Sequence, residues 1–277
     1  MSAAAAGEGR RPRPFAIGEL TTRVASAIVL AAFALAGAFL GGWVTALVLA
    51  VVASVFHVEW ALLTEHKLWP SALFTGLLVV ALAAITAGYE WEGLVLTALG
   101  ILLSTGRLNA WRPVGALYAA MLGVGMLMLR LAPMGLAAVL IVLAAVWATD
   151  TGAFFVGRAL GGAKLLPMVS PNKTWAGAIG GLVIAIVVTL GVAPFLNVPF
   201  SVMLIFVVAF LSVVSQAGDL FESWVKRRFG AKDSSNLVPG HGGLMDRVDG
   251  LAAASGAALL IGWLHGGSDV AAGLLHW

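Results

Sequence analysis

The chain has 277 residues, of which 61% are hydrophobic and only 10% are charged, and it contains no cysteine. Soluble globular domains carry about 25% charged residues, so this composition excludes an ordinary soluble domain. The lack of cysteine excludes disulfides, thiol nucleophiles and cysteine-ligated metals. The formal net charge of +3 does not indicate nucleic-acid binding, because the basic residues are scattered between apolar segments.

The N-terminal segment is small, polar and basic, and we predict a cytoplasmic tail at 1–21. A secretory signal peptide is the alternative, since Arg23 precedes an apolar run that contains small residues. The run continues past the length of a signal-peptide core, and further apolar segments follow at once. These features favour a tail followed by a first membrane helix.

Apolar segments long enough to cross a bilayer then recur along the chain. We predict an all-α, polytopic integral membrane bundle of about nine spans. The pair Gly41–Gly42 separates the first two segments, and prolines stand at several proposed helix ends, where a missing N–H costs least. The predicted spans are 22–40, 43–63, 70–88, 93–104, 112–130, 133–157, 175–194, 200–217 and 250–266.

The basic residues divide unequally between the two sides of this predicted bundle. With the N-terminus inside, every Lys and Arg except Arg130 faces the cytoplasm, as the positive-inside rule requires. The same sidedness puts two polar loops, 158–174 and 218–249, on the cytoplasmic face. We therefore divide the remainder into N-terminal membrane helices at 22–146 and a C-terminal region at 147–277 that carries the chemistry.

Three aspartates stand at predicted membrane boundaries near the C-terminal end. Asp219 directly follows an apolar run, and Asp246 and Asp249 are one helical turn apart at the start of the last span. Asp219 and Asp246 are open to interpretation as helix caps, but a cap needs no second acid one turn away. Ionisable residues at membrane depth are costly, so they indicate a functional site.

If the helix continues past Asp219, this residue shares a face with Glu222, Ser223 and Lys226. The basic run that begins at Lys226 also fits an ordinary anchor at a cytoplasmic helix end. Carboxylates from two helix ends, together with substrate phosphates, are what Mg²⁺ takes as ligands. With neighbouring cations to neutralise phosphate, they indicate metal-assisted phosphoryl or nucleotidyl transfer.

Two further stretches support phosphate chemistry. The glycines of "PGHGG" (239–243) allow close backbone approach to an anion, although a flexible loop has the same composition. In "SPNKTWAG" (170–177), Lys173 precedes a long span and adds a cation to an anion-binding helix N-terminus. The alternative is that Ser170 or Asn172 merely caps that helix.

The stretch "SWVKRRFGAKDSSNLVPGHGGLMDRVD" (223–249) resembles the signature of the phosphatidate cytidylyltransferases, also called CDP-diacylglycerol synthases. Val238 is a conservative departure from that signature. A second segment, 150–181, is similar to the family's other cytoplasmic segment, although Ala176 replaces a residue that is often polar. The positions in register are Ser223, Lys226, Arg227, Lys232, Asp233, Ser235, Pro239, His241, Gly242, Gly243, Asp246, Arg247 and Asp249, with Ser170, Pro171, Lys173, Thr174 and Gly177 upstream.

The resemblance implies an integral enzyme of the bacterial inner membrane, with its active site facing the cytoplasm. It would convert CTP and phosphatidic acid into CDP-diacylglycerol and pyrophosphate, with Mg²⁺, a monovalent cation such as K⁺, membrane lipid and a homodimeric partner, and without nucleic acid. Asp219, Asp246 and Asp249 would be the metal ligands and, with Lys226 and Lys232, the catalytic residues. The substrate-binding residues would be Ser170, Lys173, Thr174, Ser223, Arg227, Asp233, His241, Gly242, Gly243 and Arg247.

Other functions are weighed against this one. A CDP-alcohol phosphotransferase is excluded, because Ala254 stands where its motif requires Arg and no later aspartate pair follows. A CTP-dependent polyprenol or dolichol-type lipid kinase is the alternative enzyme. A membrane transporter is the alternative of another class, but broken helices and polar groups inside the spans would be expected of it.

Overall fold

The computed structural model describes residues 17–65, 69–105, 110–235, 237 and 242–277, and this part of the chain is almost entirely helical. The helices are α1 (Ile17–Leu40), α2 (Gly42–Glu65), α3 (Trp69–Thr86), α4 (Glu90–Ser104), α5 (Trp111–Leu131), α6 (Gly135–Leu160), α7 (Trp175–Val192), α8 (Val202–Arg228), α9 (Met245–Gly266) and α10 (Val270–Leu275), with a 3-10 helix (Ala193–Leu196) after α7. Two short strands, β1 (Lys164–Leu166) and β2 (Ser170–Thr174), form an antiparallel hairpin.

The chain is a membrane protein, because the structure contains several long apolar helices. In the described part, six helices are long and apolar enough to cross a bilayer: α2, α5, α6, α7 with its 3-10 extension, α8 and α9. Each of the other three predicted spans also lies in a helix, but α4 has only 15 residues. The count of about nine spans therefore stays a prediction.

The predicted loop 158–174 is more ordered than the sequence indicated. Helix α6 continues to Leu160, and the hairpin of β1 and β2 fills most of the remainder. The strict all-α prediction is therefore wrong at this point. Strand β1 has only three residues, and β2 shows no alternation of buried and exposed residues, so neither strand has a hydrophobic period by which it could be recognised.

The predicted loop 218–249 is also shorter than expected. Helix α8 continues to Arg228, and α9 begins at Met245, so both ends of this stretch are helical. The apolar-run criterion stopped at Asp219, although Phe221, Trp224 and Val225 continue the helical hydrophobic period beyond it. Three basic residues in the last turn of α8 also favour the helix C-terminus.

Stacked aromatic rings connect the N-terminal helices to α8. The rings of Trp60 on α2, Tyr118 on α5 and Phe221 on α8 pack against one another. The centroid separations are 6.0 Å for Trp60–Tyr118, 5.4 Å for Tyr118–Phe221 and 6.3 Å for Trp60–Phe221. The Trp60 indole N–H donates to the Trp111 carbonyl at 2.9 Å, which satisfies its polar atom. This cluster fixes α2 and α5 beside the helix that carries Asp219.

Helices α8 and α9 approach each other closely because glycines face the contact. A Cβ on Gly218 would lie 2.6 Å from the Ala253 Cβ, and one on Gly250 would lie 3.0 Å from the Ser215 carbonyl oxygen. Helices α6 and α7 use the same device, since a Cβ on Gly181 would lie 2.6 Å from the Thr149 carbonyl oxygen. Small residues at helix interfaces are typical of membrane bundles and allow backbones to touch.

Cysteine labelling tests the relative sidedness of the last three long helices. The unsubstituted chain has no cysteine, so it gives no background. Met168 in the hairpin turn is 94% exposed and Phe200 between α7 and α8 is 71% exposed, and Ser268 follows α9. We expect an impermeant maleimide to label Phe200→Cys and Ser268→Cys from one side and Met168→Cys from the other. Labelling of Met168→Cys and Ser268→Cys from the same side would contradict three crossings by α7, α8 and α9.

Candidate active site

A polar cavity of about 700 Å³ lies between α6, the hairpin, α7, α8 and α9. Its walls carry both signs of charge, which is unusual in a membrane bundle and indicates a functional site. The acidic side chains on its walls are Asp150, Asp219, Asp246 and Asp249, and the basic ones are Arg158, Lys164, Lys173 and Arg247.

The structure brings the two predicted segments together through an ion pair. Lys173 of β2 donates a hydrogen bond to the Asp219 carboxylate on α8. The Ser223 hydroxyl, one turn further along α8, lies 3.4 Å from the other Asp219 oxygen. Both side chains of the pair are about one third exposed, at 30% and 32%, so solvent and ligands can reach them.

Lys226 is buried, unlike Lys173, and contacts two carboxylates. Its ammonium is 2.6 Å from Glu222 and 2.8 Å from Asp246, and Glu222 is fully buried. Lys226 itself is only 8% exposed and does not line the cavity. A buried carboxylate is tolerated only when it is paired, so Lys226 stabilises Glu222 on α8 and Asp246 on α9.

The Asp246 carboxylate also accepts backbone hydrogen bonds from both ends of the loop before α9. The Ser234 N–H lies 3.2 Å and 3.1 Å from its two oxygens, and the Gly243 N–H lies 2.9 Å away. Gly242 has a φ of 86°, and a Cβ on Gly243 would lie only 1.8 Å from the Ser234 hydroxyl oxygen. The glycine pair is therefore required by a left-handed turn and by a close approach of two chain segments.

Asp249 lies one turn further along α9 and faces the same cavity as Asp219. One of its oxygens accepts a hydrogen bond from the Gly250 N–H at 2.8 Å. Asp150 of α6 completes the acidic lining, and Gln216 of α8 lines the cavity while donating to the Ala178 carbonyl at 3.3 Å. Sequence analysis did not assign site roles to Asp150 or Gln216, although an acid inside a predicted span was a usable signal.

Thr174 is the residue that caps α7. Its hydroxyl accepts from the Gly177 N–H at 3.0 Å, and the residue is 5% exposed. The alternative in which Ser170 or Asn172 caps this helix is therefore wrong. Ser170 pairs instead with Leu166 in the hairpin.

The remaining predicted site residues lie around the loop that follows α8. The Arg227 guanidinium donates to the carbonyls of Val169 and Ala231 at 3.3 Å and 3.2 Å, so it ties the hairpin to the end of α8. Lys232 and Asp233 are exposed in this loop. His241 lies outside the residues that the structure describes.

Two residues outside the predicted site lie behind it. Glu222 is the fully buried partner of Lys226. Glu59 on α2 is 3% exposed and accepts from the backbone N–H groups of Leu244 and Met245 at the start of α9. An acid near the end of an apolar span was the only sequence signal for Glu59, and it did not indicate which residues Glu59 contacts.

The donor set fits a magnesium ion that is bound together with a phosphate substrate. Within the described ranges, no three acidic or histidine side chains form a ready-made metal cage. Mg²⁺ does not need one, because it commonly takes one or two carboxylates and completes its shell with water and phosphate oxygens. Asp219, Asp246 and Asp249 supply such carboxylates from facing helices.

A second cavity, of about 250 Å³, lies between α1, α2, α5, α6 and α9 and is almost entirely apolar. Its walls include Leu30, Phe33, Val48 and Trp147. Arg247 of α9 borders both this cavity and the polar one. The cationic side chain of Arg247 thus lies at the border between the polar cavity and the apolar one.

Comparison with known proteins agrees with this geometry. A model of the cytidylyltransferase family matches residues 21–264. A phosphatidate cytidylyltransferase of Brucella suis is 40% identical over 267 residues, which cover 91% of this chain and 96% of that protein. A protein of the same name from Bacillus subtilis is 49% identical over 106 residues, which cover 38% of this chain and 39% of that protein. Another from Staphylococcus haemolyticus is 46% identical over 116 residues, which cover 42% of this chain and 45% of that protein. The chain therefore belongs to the cytidylyltransferase family.

Proposed function

We propose that this protein transfers the cytidylyl group of CTP to phosphatidic acid, giving CDP-diacylglycerol and pyrophosphate. The observation that carries the proposal is the 40% identity to a phosphatidate cytidylyltransferase over almost the whole of both chains. The polar cavity supports it, because its cations and carboxylates suit a metal-assisted reaction between two phosphate groups.

The reaction needs charge neutralisation more than it needs a base. A phosphate oxygen of phosphatidic acid forms a bond to the α-phosphorus of CTP, and the bond from that phosphorus to the bridging oxygen of pyrophosphate breaks. The nucleophile is already anionic, so no side chain has to remove a proton. Lys173, with Arg158, Lys164 and Arg247, supplies positive charge on the cavity wall, which reduces repulsion and stabilises the leaving group.

Asp219, Asp246 and Asp249 would hold the magnesium ion. When bound, the metal would supply further positive charge toward the phosphate oxygens. The chain's own contribution is to fix these carboxylates in place at a membrane boundary. The ion pair with Lys173 and the contact with Lys226 do this for Asp219 and Asp246.

A lipid substrate is supported by the apolar cavity beside the polar one. Arg247 borders both, so a phosphate held near it would leave an attached acyl chain close to apolar walls. The same arrangement would let the diacylglycerol part remain in the membrane while CTP arrives from the aqueous side.

The proposed location is the bacterial inner membrane, with the polar cavity open to the cytoplasm. The positive-inside rule supports this sidedness. Arg130, the single basic residue expected outside, donates to the Ala38 carbonyl at 2.5 Å. Ala38 lies in the last turn of α1, next to the start of α2, whereas Glu59 lies near the other end of α2. The monovalent cation such as K⁺ and the homodimer are part of the same proposal and rest on the family resemblance.

Isotopically labelled CTP separates this function from a CTP-dependent lipid kinase. With purified protein, Mg²⁺ and phosphatidic acid, we expect label from the α-phosphate of CTP in the lipid product and label from the γ-phosphate in pyrophosphate. A polyprenol kinase would instead place the γ-label in the lipid and release CDP. Absence of any labelled lipid, with CTP-independent uptake of a solute into vesicles, would favour a transporter.

Removal of the metal ligands should abolish turnover. Asp219→Asn and Asp246→Asn each remove one charge at nearly constant size, and we expect both to be inactive while the protein remains folded in detergent. EDTA should abolish wild-type activity, and added Mg²⁺ should restore it. Glu92→Gln is a matched control, because Glu92 is an exposed acid in the first turn of α4, outside the cavity lining. Wild-type turnover in Asp219→Asn would refute its assignment as a ligand.

Lys173 should contribute to the chemical step through its charge. We expect Lys173→Ala to lose about 2–4 kcal/mol of transition-state stabilisation, by analogy with oxyanion donors, which is about 30- to 1000-fold in kcat/KM. Lys173→Arg should restore only part of the lost kcat/KM, because the planar guanidinium of Arg replaces the compact ammonium of Lys. Since Lys173 and Asp219 form an ion pair, the double variant should be non-additive.

Arg228→Ala is the matched cationic control for Lys173→Ala. Arg228 is 5.9 Å from the Trp111 ring at the end of α8 and does not line the cavity. We expect CTP kinetics close to those of the wild type. Equal losses in Arg228→Ala and Lys173→Ala would mean that general surface charge, not the cavity cation, is responsible.

A further inference from the structure

Glu59 is a buried carboxylate in the middle of the N-terminal half, and the proposed chemistry does not use it directly. It lies on α2 and is 3% exposed. Its two oxygens accept four hydrogen bonds from residues more than 170 positions further along the chain. The donors are the Ser234 hydroxyl at 3.2 Å, the Ser235 hydroxyl at 2.5 Å, the Leu244 N–H at 3.1 Å and the Met245 N–H at 2.6 Å.

Two of these bonds supply what α9 lacks locally. The residue before its first turn is Leu244, whose apolar side chain gives no cap. The first N–H groups of any helix have no partner within the helix and carry a partial positive charge. Glu59 satisfies the Leu244 and Met245 N–H groups from a different helix. A carboxylate is the strongest acceptor for this position.

The other two bonds connect Glu59 to the surroundings of Asp246. The Ser234 hydroxyl donates to Glu59, while the Ser234 N–H donates to Asp246. On the opposite side of the loop, Gly243 donates to Asp246, and a Cβ on Gly243 would lie 2.8 Å from Glu59. Glu59 and Asp246 thus accept hydrogen bonds from the same two parts of the loop, around Ser234 and around Gly243 and Leu244.

We infer that Glu59 is a positioning residue for the reaction, which joins both ends of the loop before α9 and thereby fixes the Asp246 carboxylate on the cavity wall. The inference rests on the proposed function for the meaning of Asp246. It does not require Glu59 to touch substrate. Its physical basis is that a carboxylate buried in a membrane helix is expensive, and four converging donors from one loop account for its presence.

The test compares Glu59→Gln with a matched variant of the same helix. Gln keeps the size, but its amide group presents a donor where Glu59 meets N–H and O–H donors, so at least one contact is lost. Glu65→Gln is the control, because Glu65 is also a poorly exposed acid of α2, with an ion pair to Arg112 at 2.7 Å that lies outside the site. Both variants are purified as full chains, and CTP kinetics and thermal midpoints are measured in one detergent.

We expect Glu59→Gln to lower kcat by about 10- to 100-fold, the range for a buried polar group left without its partner, with little change in KM for CTP. Glu65→Gln should retain wild-type kcat. Glu59→Asp, which keeps the charge but shortens the side chain, should lie between Glu59→Gln and the wild type. Hydrogen–deuterium exchange gives a readout without substrate. The Leu244 and Met245 amides should exchange faster in Glu59→Gln than in the wild type, and at the wild-type rate in Glu65→Gln.

Faster exchange with unchanged kcat in Glu59→Gln would overturn the positioning role, and so would equal losses of kcat in Glu59→Gln and Glu65→Gln. If Glu59→Gln does not fold, Ser235→Ala removes one donor without stranding a charge. It should lower kcat about threefold or more, and wild-type kcat there would likewise overturn the inference. A wild-type protein that forms no labelled lipid would refute the proposed function, whereas the exchange at Leu244 and Met245 would still test the contact itself.

Discussion

The placement of one buried cation, Lys226, governs the active-site end of this bundle. Its ammonium lies between Glu222 on the same helix and Asp246 on α9, within 2.6 Å and 2.8 Å. Without it, two carboxylates would face each other in a nearly dry interior, where like charges repel strongly. Helix α8 can therefore carry the buried acid Glu222 because it also supplies the counter-ion of Glu222 one turn away. The contact also fixes Asp246, which lines the cavity.

Close packing of backbones does the rest of the positioning. Gly218 and Gly250 let α8 and α9 touch, and Gly181 does the same for α6 and α7. A membrane interior offers little hydrophobic drive for helix association, so such contacts depend on shape and dispersion. They also bring carboxylates from two helices to one wall without any long side chain. The hairpin then adds Lys173 from the aqueous side.

Much of this arrangement could be predicted from the sequence, and the failures have clear physical reasons. Long apolar runs located helices α1 to α9 but not the short helix α10, and the aspartates at predicted membrane boundaries indicated the candidate site. The ends of α8 and α9 were misplaced because hydropathy falls at Asp219 and Asp246, whereas the helices continue through the charged turns. Pattern reasoning assigned Lys226 to phosphate, but this lysine does not line the cavity and its partners are the carboxylates of Glu222 and Asp246. Contacts such as that of Glu59 with Met245 join residues far apart in sequence, and no local pattern encodes them.

The capping of α9 by a side chain of α2 bears on how far the protein can be treated as modular. The recognisable signature lies in the C-terminal half, which invites the idea that the preceding helices are an exchangeable anchor. A chimera with foreign N-terminal helices would keep every signature residue but would bring no acceptor for the buried backbone N–H groups of Leu244 and Met245. Its transplanted half would begin its last long helix with unpaired donors in a water-poor setting. The two halves of the chain are therefore expected to depend on each other. Foreign N-terminal helices would support α9 only if their second helix carried an acid at the position that corresponds to Glu59.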